Sequence, residues 1–130
     1  MRIVTQEERA YFEGVASCYV DGAYPQSLNF DGAEVTKCHE NAEAFFGRFP
    51  DHPVVRGWLV TEIGGAPGFF RLVAHSLNRK PDGTLIDTTP LPEADRKAYR
   101  FVRHVGTEQQ FASIRTKFPE VYFPILTLPP

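Results

Sequence analysis

The chain is poor in cysteine, and it has neither a long apolar run nor a cluster of basic residues. Its two cysteines, Cys18 and Cys38, are too few for the disulfide framework of a small secreted domain. No stretch reaches the ~20 apolar residues that span a bilayer, and the charged N-terminal segment lacks the apolar core of a signal peptide. Fourteen Lys and Arg against sixteen Asp and Glu leave a net charge of −2, which argues against nucleic acid and membrane partners. We therefore expect a cytoplasmic protein with reduced thiols.

What the chain does have is a high apolar and aromatic content. Its 130 residues are 42% apolar and include eleven Phe, five Tyr and one Trp. This is enough to build one hydrophobic core without disulfides or metals. The sequence shows no internal repeat and no linker. We expect a single domain over residues 1–130.

Local patterns predict two helices in the first half of the chain. Thr5 and Glu8 match a capping box, in which each side chain bonds the backbone of the other, ahead of a helix over residues 6–20. Thr36 is the predicted cap of a second helix, and that helix carries Cys38 in its first turn. The segment between the helices has the Gly, Pro, Asn and Asp content of a loop.

The second half of the chain is dominated by strand patterns. Strands are predicted at 54–63, 69–79, 84–88 and 99–105. A last short helix is expected from Thr107, and the Pro-rich tail from Pro119 is expected to lie extended against the body, a partner protein or a second copy. Because strands follow one another after the helices, the predicted class is α+β with a mainly antiparallel sheet of about four strands.

The turn Lys80-Pro81-Asp82-Gly83 sets the register of a predicted hairpin. Pro-Asp-Gly favours a three-residue loop whose Gly adopts the left-handed conformation, which places Lys80 opposite Thr84. His75 is then a diagonal neighbour of Asp87 on the same sheet face, within reach of a hydrogen bond. A loop one residue shorter or longer would send Asp87 to the other face.

A thiol at a helix N-terminus, a His on a strand and an Asp on the next strand are the parts of a cysteine nucleophile site. Unpaired amides and the helix dipole stabilise the thiolate of Cys38. If His75 docks against the sulfur, it can accept the thiol proton and later protonate a leaving group. Asp87 would hold the imidazole tautomer and stabilise its cation.

Other residues are candidates for binding the substrate or the oxyanion. The Cys38 backbone N–H can form half of an oxyanion hole, and the second donor is left open among Gln26, Asn29, His39 and Asn41. Trp58, after Gly57, is a candidate substrate platform, although a Trp there is more often a core residue. Zn²⁺ ligand types are present in Cys38, His39, His75 and Asp87, but the chain has no CxxC, HxH or HExxH spacing. We expect no metal and no cofactor.

These residues carry a resemblance to known proteins. The order Cys38-His39-Glu40-Asn41, Gly57-Trp58, His75 and Asp87-Thr88-Thr89-Pro90 resembles a group of small uncharacterised bacterial proteins with a C-H-x-N, G-W, H, D-x-T-P pattern. More broadly it is similar to papain-like cysteine domains, including the NlpC/P60-like and transglutaminase-like ones. The resemblance covers about residues 36–104. It implies a papain-like core with Cys38 as nucleophile, His75 as base and Asp87 as orienting acid.

Two functions remain open at the level of the sequence. The first is a cysteine hydrolase or acyltransferase that acts on an amide, thioester or isopeptide bond of a small-molecule or peptide substrate. The second is a non-catalytic binding or interaction module that keeps the same residues for stability or ligand capture. An active site requires the Cys38 sulfur within ~3–4 Å of a His75 nitrogen and some access for solvent.

Overall fold

The computed structural model describes residues 4–64, 66–91 and 97–124. Within them, three helices have both ends described: α1 (Gln6–Ser17), α2 (Cys38–Arg48) and α3 (Glu108–Lys117). The strands in the same residues are β1 (Gln26–Ser27), β2 (Val54–Glu62), β3 (Phe70–Arg79), β4 (Leu85–Asp87), β5 (Arg100–Arg103) and β6 (Glu120–Phe123). None of the helices described here has the length and apolar character that crossing a membrane requires.

The first helix begins where the sequence predicts. Thr5 Oγ1 accepts from the Glu8 backbone N–H at 3.1 Å, and Glu8 Oε1 accepts from the Thr5 N–H at 2.9 Å, which is the predicted capping box. The helix ends earlier than expected, at Ser17, and a single 3₁₀ turn over Tyr19–Asp21 completes the predicted span. Thr107 and Gln110 form a second capping box at the start of α3.

The sheet confirms the α+β class and its mainly antiparallel character. Its order is β1-β4-β3-β2-β5, with β6 also paired to β3. Every pairing is antiparallel except that of β1 with β4. The described residues form six strands rather than the expected four or so. The residue pattern does not predict either of the two extra strands. Strand β1 has only two residues and lies within the expected loop, and β6 lies in the Pro-rich tail.

The tail is therefore partly a structural element of the body. Its first part forms β6, in which Val121 lies opposite Leu72 of β3. The expected contact with a partner or a second copy involves residues 119–130, through Tyr122, Phe123, Ile125 and Leu126, and residues 125–130 lie outside the described part of the chain.

In the described part of the chain, one edge of β3 is unpaired in its middle. The strand pairs with β2 along one edge. On the other edge β6 pairs with residues 70–73 and β4 pairs with residues 78 and 79. Among the described residues, no strand pairs with 74–77 on that edge, although the Ala74 N–H donates to the Pro119 carbonyl at 3.0 Å. The N-terminus of α2 lies against this gap.

The sheet separates two apolar clusters because successive side chains of a strand point to opposite faces. Helices α1 and α3 cover one face, where the buried residues include Phe12, Trp58, Leu72 and Phe111. Helix α2 lies on the same face, where Asn78 Nδ2 donates to the carbonyl of residue 42 at 3.0 Å. The second cluster lies on the other face and comprises Val55, Leu59, Leu77 and Phe101.

Gly57 is required where β2 meets the Phe101 ring. A Cβ at this position would lie 2.3 Å from the Val102 carbonyl oxygen and 2.6 Å from the Phe101 ring. We expect Gly57→Ala to lower the free energy of unfolding by about 3 kcal/mol, since both neighbours are buried and cannot move away. Urea denaturation followed by circular dichroism measures this change.

Gly14→Ala is the matched control. Gly14 lies within α1, and an added Cβ there has no neighbour within 4 Å. The substitution is expected to raise the free energy of unfolding by about 0.5–1 kcal/mol through helix propensity. A Gly57→Ala protein as stable as the Gly14→Ala protein would contradict the argument from steric clash.

Candidate active site

The hairpin forms in the predicted register. The Lys80 N–H donates to the Thr84 carbonyl at 2.8 Å, and Gly83 has a φ of 92°, in the left-handed region. Asn78 lies opposite Ile86, which is the predicted pairing of β3 with β4. The local chemistry of the turn therefore sets the face on which the next residues point.

His75 and Asp87 meet on the face of the sheet that carries the second apolar cluster. His75 Nε2 lies 2.8 Å from Asp87 Oδ2, and each side chain is about 5% exposed. Asp87 Oδ1 also accepts from the Thr89 backbone N–H at 3.0 Å. Burying a lone charged or polar group is costly, but each of these two groups has a partner. Because Nε2 donates to the carboxylate, Nδ1 is the nitrogen of His75 that remains for other chemistry.

Cys38 lies in the first turn of α2, as predicted, and is the first residue of that helix. It faces the part of the β3 edge with which no described strand pairs. Its Sγ lies 3.9 Å from the Ala74 carbonyl oxygen, next to His75 in the chain. The amides of a first helical turn have no carbonyl within the helix to bond. The residue is 9% exposed.

The cap of α2 differs from the prediction. Lys37, not Thr36, is the N-cap residue, and its side chain makes no capping bond. Thr36 instead has a φ of 69°, a left-handed conformation that β-branched residues rarely adopt. The chain thus turns sharply just before Cys38, where the start of α2 meets the edge of β3.

The electrostatics of the site favour a thiolate. Burial alone would raise the pKa of Cys38, but hydrogen bonds and charge interactions with His39 and His75 lower it to about 6. Burial lowers the pKa of His75, but the interactions with Asp87 and Cys38 outweigh it and raise that pKa to about 9. The lowered pKa of Cys38 and the raised pKa of His75 both favour a thiolate–imidazolium pair over a neutral thiol and imidazole.

Three other candidates for the oxyanion hole differ in their surroundings. Asn41 Nδ2 donates to the Glu34 carbonyl at 2.8 Å and to Thr89 Oγ1 at 2.9 Å. Asn41 Oδ1 accepts from the Glu34 N–H at 3.1 Å. Both of its N–H groups are thus engaged, and it fastens the loop before α2 to the segment after β4. Gln26 and Asn29 are exposed.

Trp58 lies in the core rather than at a surface. It is fully buried, and its indole N–H donates to the Tyr11 hydroxyl at 2.7 Å. No face of the ring is therefore open to a substrate.

His39 is directed into the protein, and its contacts were not evident from the sequence. Its Nδ1 lies 2.6 Å from Ser76 Oγ, and Arg56 Nη1 donates to the same oxygen at 2.8 Å. Strand alternation could have placed Ser76 on the face of β3 that α2 covers. No sequence signal pairs Arg56 of β2 with its carboxylate partners Glu43 and Glu108.

The site belongs to an α+β protein in which a Cys from α2 lies against the Ala74 carbonyl of β3, and the next residue of that strand is a His bonded to an Asp from β4. Within the described residues, no three His, Cys, Asp or Glu side chains are grouped as metal ligands are. No family model matches the chain, and no curated protein or solved structure is significantly similar to it.

Proposed function

We propose that this protein is a cysteine hydrolase or acyltransferase with a papain-like triad. Cys38 is the nucleophile, His75 the general base and acid, and Asp87 the carboxylate that orients His75. The observation that carries the proposal is the buried 2.8 Å bond between His75 and Asp87 beside a helix-terminal thiol. The lowered pKa of Cys38 and the raised pKa of His75 support it, since they favour the reactive ion pair.

In the proposed acyl-transfer reaction, Cys38 and His75 act in turn. The Cys38 thiolate attacks the carbonyl carbon, a C–S bond forms, and the carbonyl electrons move to the oxygen. The Cys38 backbone N–H can donate to that oxyanion. The His75 imidazolium then protonates the leaving amine, alcohol or thiol as its bond to carbon breaks. Neutral His75 next takes a proton from water or an acceptor nucleophile, which attacks the thioester and releases Cys38.

A non-catalytic binding module is the second candidate. The observation that favours it is the low exposure of Cys38, at 9%. In such a module the paired His75 and Asp87 would serve stability alone, and the sulfur would react slowly with any reagent.

Differential alkylation of the two cysteines tests the proposal. We expect iodoacetamide to modify Cys38 faster than the exposed Cys18 near neutral pH, because thiolate is the reactive form. The Cys38 rate should rise as the pH rises through about 6, the pKa at which its thiolate forms. Mass spectrometry of the digested protein measures both rates. Cys18→Ser and Cys38→Ser proteins assign them, and slow, equal labelling of both thiols favours the binding module.

A further inference from the structure

A second imidazole lies at the start of α2, and it has its own set of partners. His39 follows Cys38 directly, and its ring is fixed to Ser76 on β3. Side chains of adjacent strand residues point to opposite faces, so Ser76 and His75 lie on opposite faces of the strand. The Cys38 sulfur lies at the strand edge between them, against the Ala74 carbonyl. The two rings thus belong to opposite faces of the strand, and both lower the pKa of Cys38.

The hydrogen-bond donors fix which nitrogen of His39 carries the proton. Ser76 is fully buried, and its Oγ has two hydrogen-bond neighbours among the described residues, Arg56 Nη1 and His39 Nδ1. A guanidinium only donates, so Ser76 accepts from Arg56 and its own hydroxyl proton is left for His39. His39 Nδ1 is then an acceptor. The ring is consequently the tautomer that carries its proton on Nε2.

Arg56 is itself held in place by two carboxylates. Its Nε donates to Glu108 Oε1 of α3 at 3.1 Å, and its Nη2 donates to Glu43 of α2. The guanidinium side chain is 13% exposed. These bonds link α2, β2, β3 and α3, so the orientation of His39 depends on the packing of all four elements.

We propose that His39, through Nε2–H, is the second donor of the oxyanion hole, alongside the backbone N–H of Cys38, and that Ser76 and Arg56 are its positioning residues. This inference rests on the proposed acyl-transfer function. His39 also contributes to the lowered pKa of Cys38, which is consistent with a ring that reaches the sulfur. Among the other candidates, Asn41 has both N–H groups bonded elsewhere, and Gln26 and Asn29 are exposed.

The two histidines then differ in role because their outer partners differ. His75 Nε2 donates to a carboxylate, which stabilises the imidazolium that the base must become. His39 Nδ1 accepts from a hydroxyl, which keeps Nε2 a fixed N–H donor. A preorganised donor of this kind stabilises charge that develops only in the transition state.

Two reagents separate this role from a general effect on the thiol. Acylation by p-nitrophenyl acetate forms an acetyl–sulfur bond through a tetrahedral oxyanion and then expels p-nitrophenolate. Alkylation by iodoacetamide displaces iodide from a saturated carbon and forms no oxyanion. Both rates are measured in a Cys18→Ser protein, with the corresponding Cys38→Ala protein as the baseline for reaction at other groups.

We expect His39→Met, which removes the donor, to lower acylation about 10²–10³-fold more than alkylation. His39→Gln retains an N–H near the position of Nε2 and is expected to recover at least tenfold of that loss. Ser76→Ala should lower acylation relative to alkylation in the same direction by a smaller factor. His52→Gln is the matched control: His52 also bonds through Nδ1, to Asp51, and it should change neither rate.

Each result has a definite meaning. Equal losses of acylation and alkylation in His39→Met and Ser76→Ala, or identical behaviour of the Met and Gln variants, would overturn the assignment of His39. Absence of Cys38-dependent acylation in the parent protein would instead overturn the proposed function, and the inference with it. Circular dichroism and thermal melting monitor folding, and the conservative Gln and Ser76→Ala variants decide the question if His39→Met does not fold.

Discussion

Replacing His75 by Ala is expected to slow alkylation of Cys38 near neutral pH by about a hundredfold. The substitution removes one of the interactions that lower the pKa of Cys38 to about 6, whereas the burial that raises this pKa remains. A thiol whose pKa returns toward its ordinary value is about a hundredfold less ionised near pH 7. Acylation by an amide, whose leaving amine must be protonated, should fall by about a further 10²–10⁴-fold, because the general acid is lost as well. Stopped-flow rates over a pH series measure both effects.

Asp87→Asn tests whether the carboxylate sets the tautomer of His75. Asp87 Oδ1 accepts from the Thr89 N–H, so an amide here would direct its oxygen to Thr89 and its N–H groups to His75. His75 Nε2 would then have to accept, and its proton would move to Nδ1, the nitrogen left for the sulfur. A ring in that tautomer cannot take the thiol proton, so we expect slow acylation with the fold intact. Parent-like rates in both His75→Ala and Asp87→Asn would exclude the triad.

The pH dependence of acylation by an amide, whose leaving amine must take a proton from His75, should be bell-shaped. The rate should rise as the pH increases through about 6, where the Cys38 thiolate forms, and fall through about 9, where the His75 imidazolium is lost. Alkylation requires only the thiolate and should show the rise without the fall. These two limits belong to the coupled pair rather than to one residue each.

Trp58→Ala is expected to lower the free energy of unfolding by about 3–5 kcal/mol, the largest stability effect that we predict. The ring is fully buried, and its centroid lies 5.3 Å from that of Phe12 and 5.8 Å from that of Phe111. The free energy of unfolding of a small domain is only about 5–15 kcal/mol, so this substitution would remove a large part of it. Because the chain has one Trp, unfolding in urea must be followed by circular dichroism rather than by Trp fluorescence.

Trp58→Phe separates packing from hydrogen bonding. The indole N–H donates to Tyr11, whose hydroxyl donates to His104 Nδ1 at 2.6 Å, and His104 Nε2 donates to the Thr107 carbonyl at 3.0 Å. Phe leaves the Tyr11 oxygen without its donor, at a cost of about 1–3 kcal/mol. Acylation per folded molecule should be unchanged in both variants. A loss of acylation without a loss of stability would indicate instead that Trp58 contributes to substrate binding.

The hairpin shows how much of the site can be predicted from local sequence. Pro81, Asp82 and Gly83 determine the loop length, and the loop length determines the parity that puts His75 and Asp87 on one face. All of this acts over a dozen residues, so it can be predicted without knowledge of the rest of the chain. The cap of α2 shows the limit: Thr36 has the right chemistry for a cap, but the loop that places α2 forces it into a left-handed conformation.

The sequence by itself determined the α+β class, the capping box of α1, the cap of α3, the hairpin register and the position of Cys38 in a first helical turn, because each depends on residues near one another in the chain. The tertiary structure alone decided that the edge of β3 opens at residues 74–77 and that α2 lies against it. It also decided that Arg56 and Ser76 fix His39. These contacts join α2, β2 and β3, and they depend on side-chain packing that no local pattern encodes.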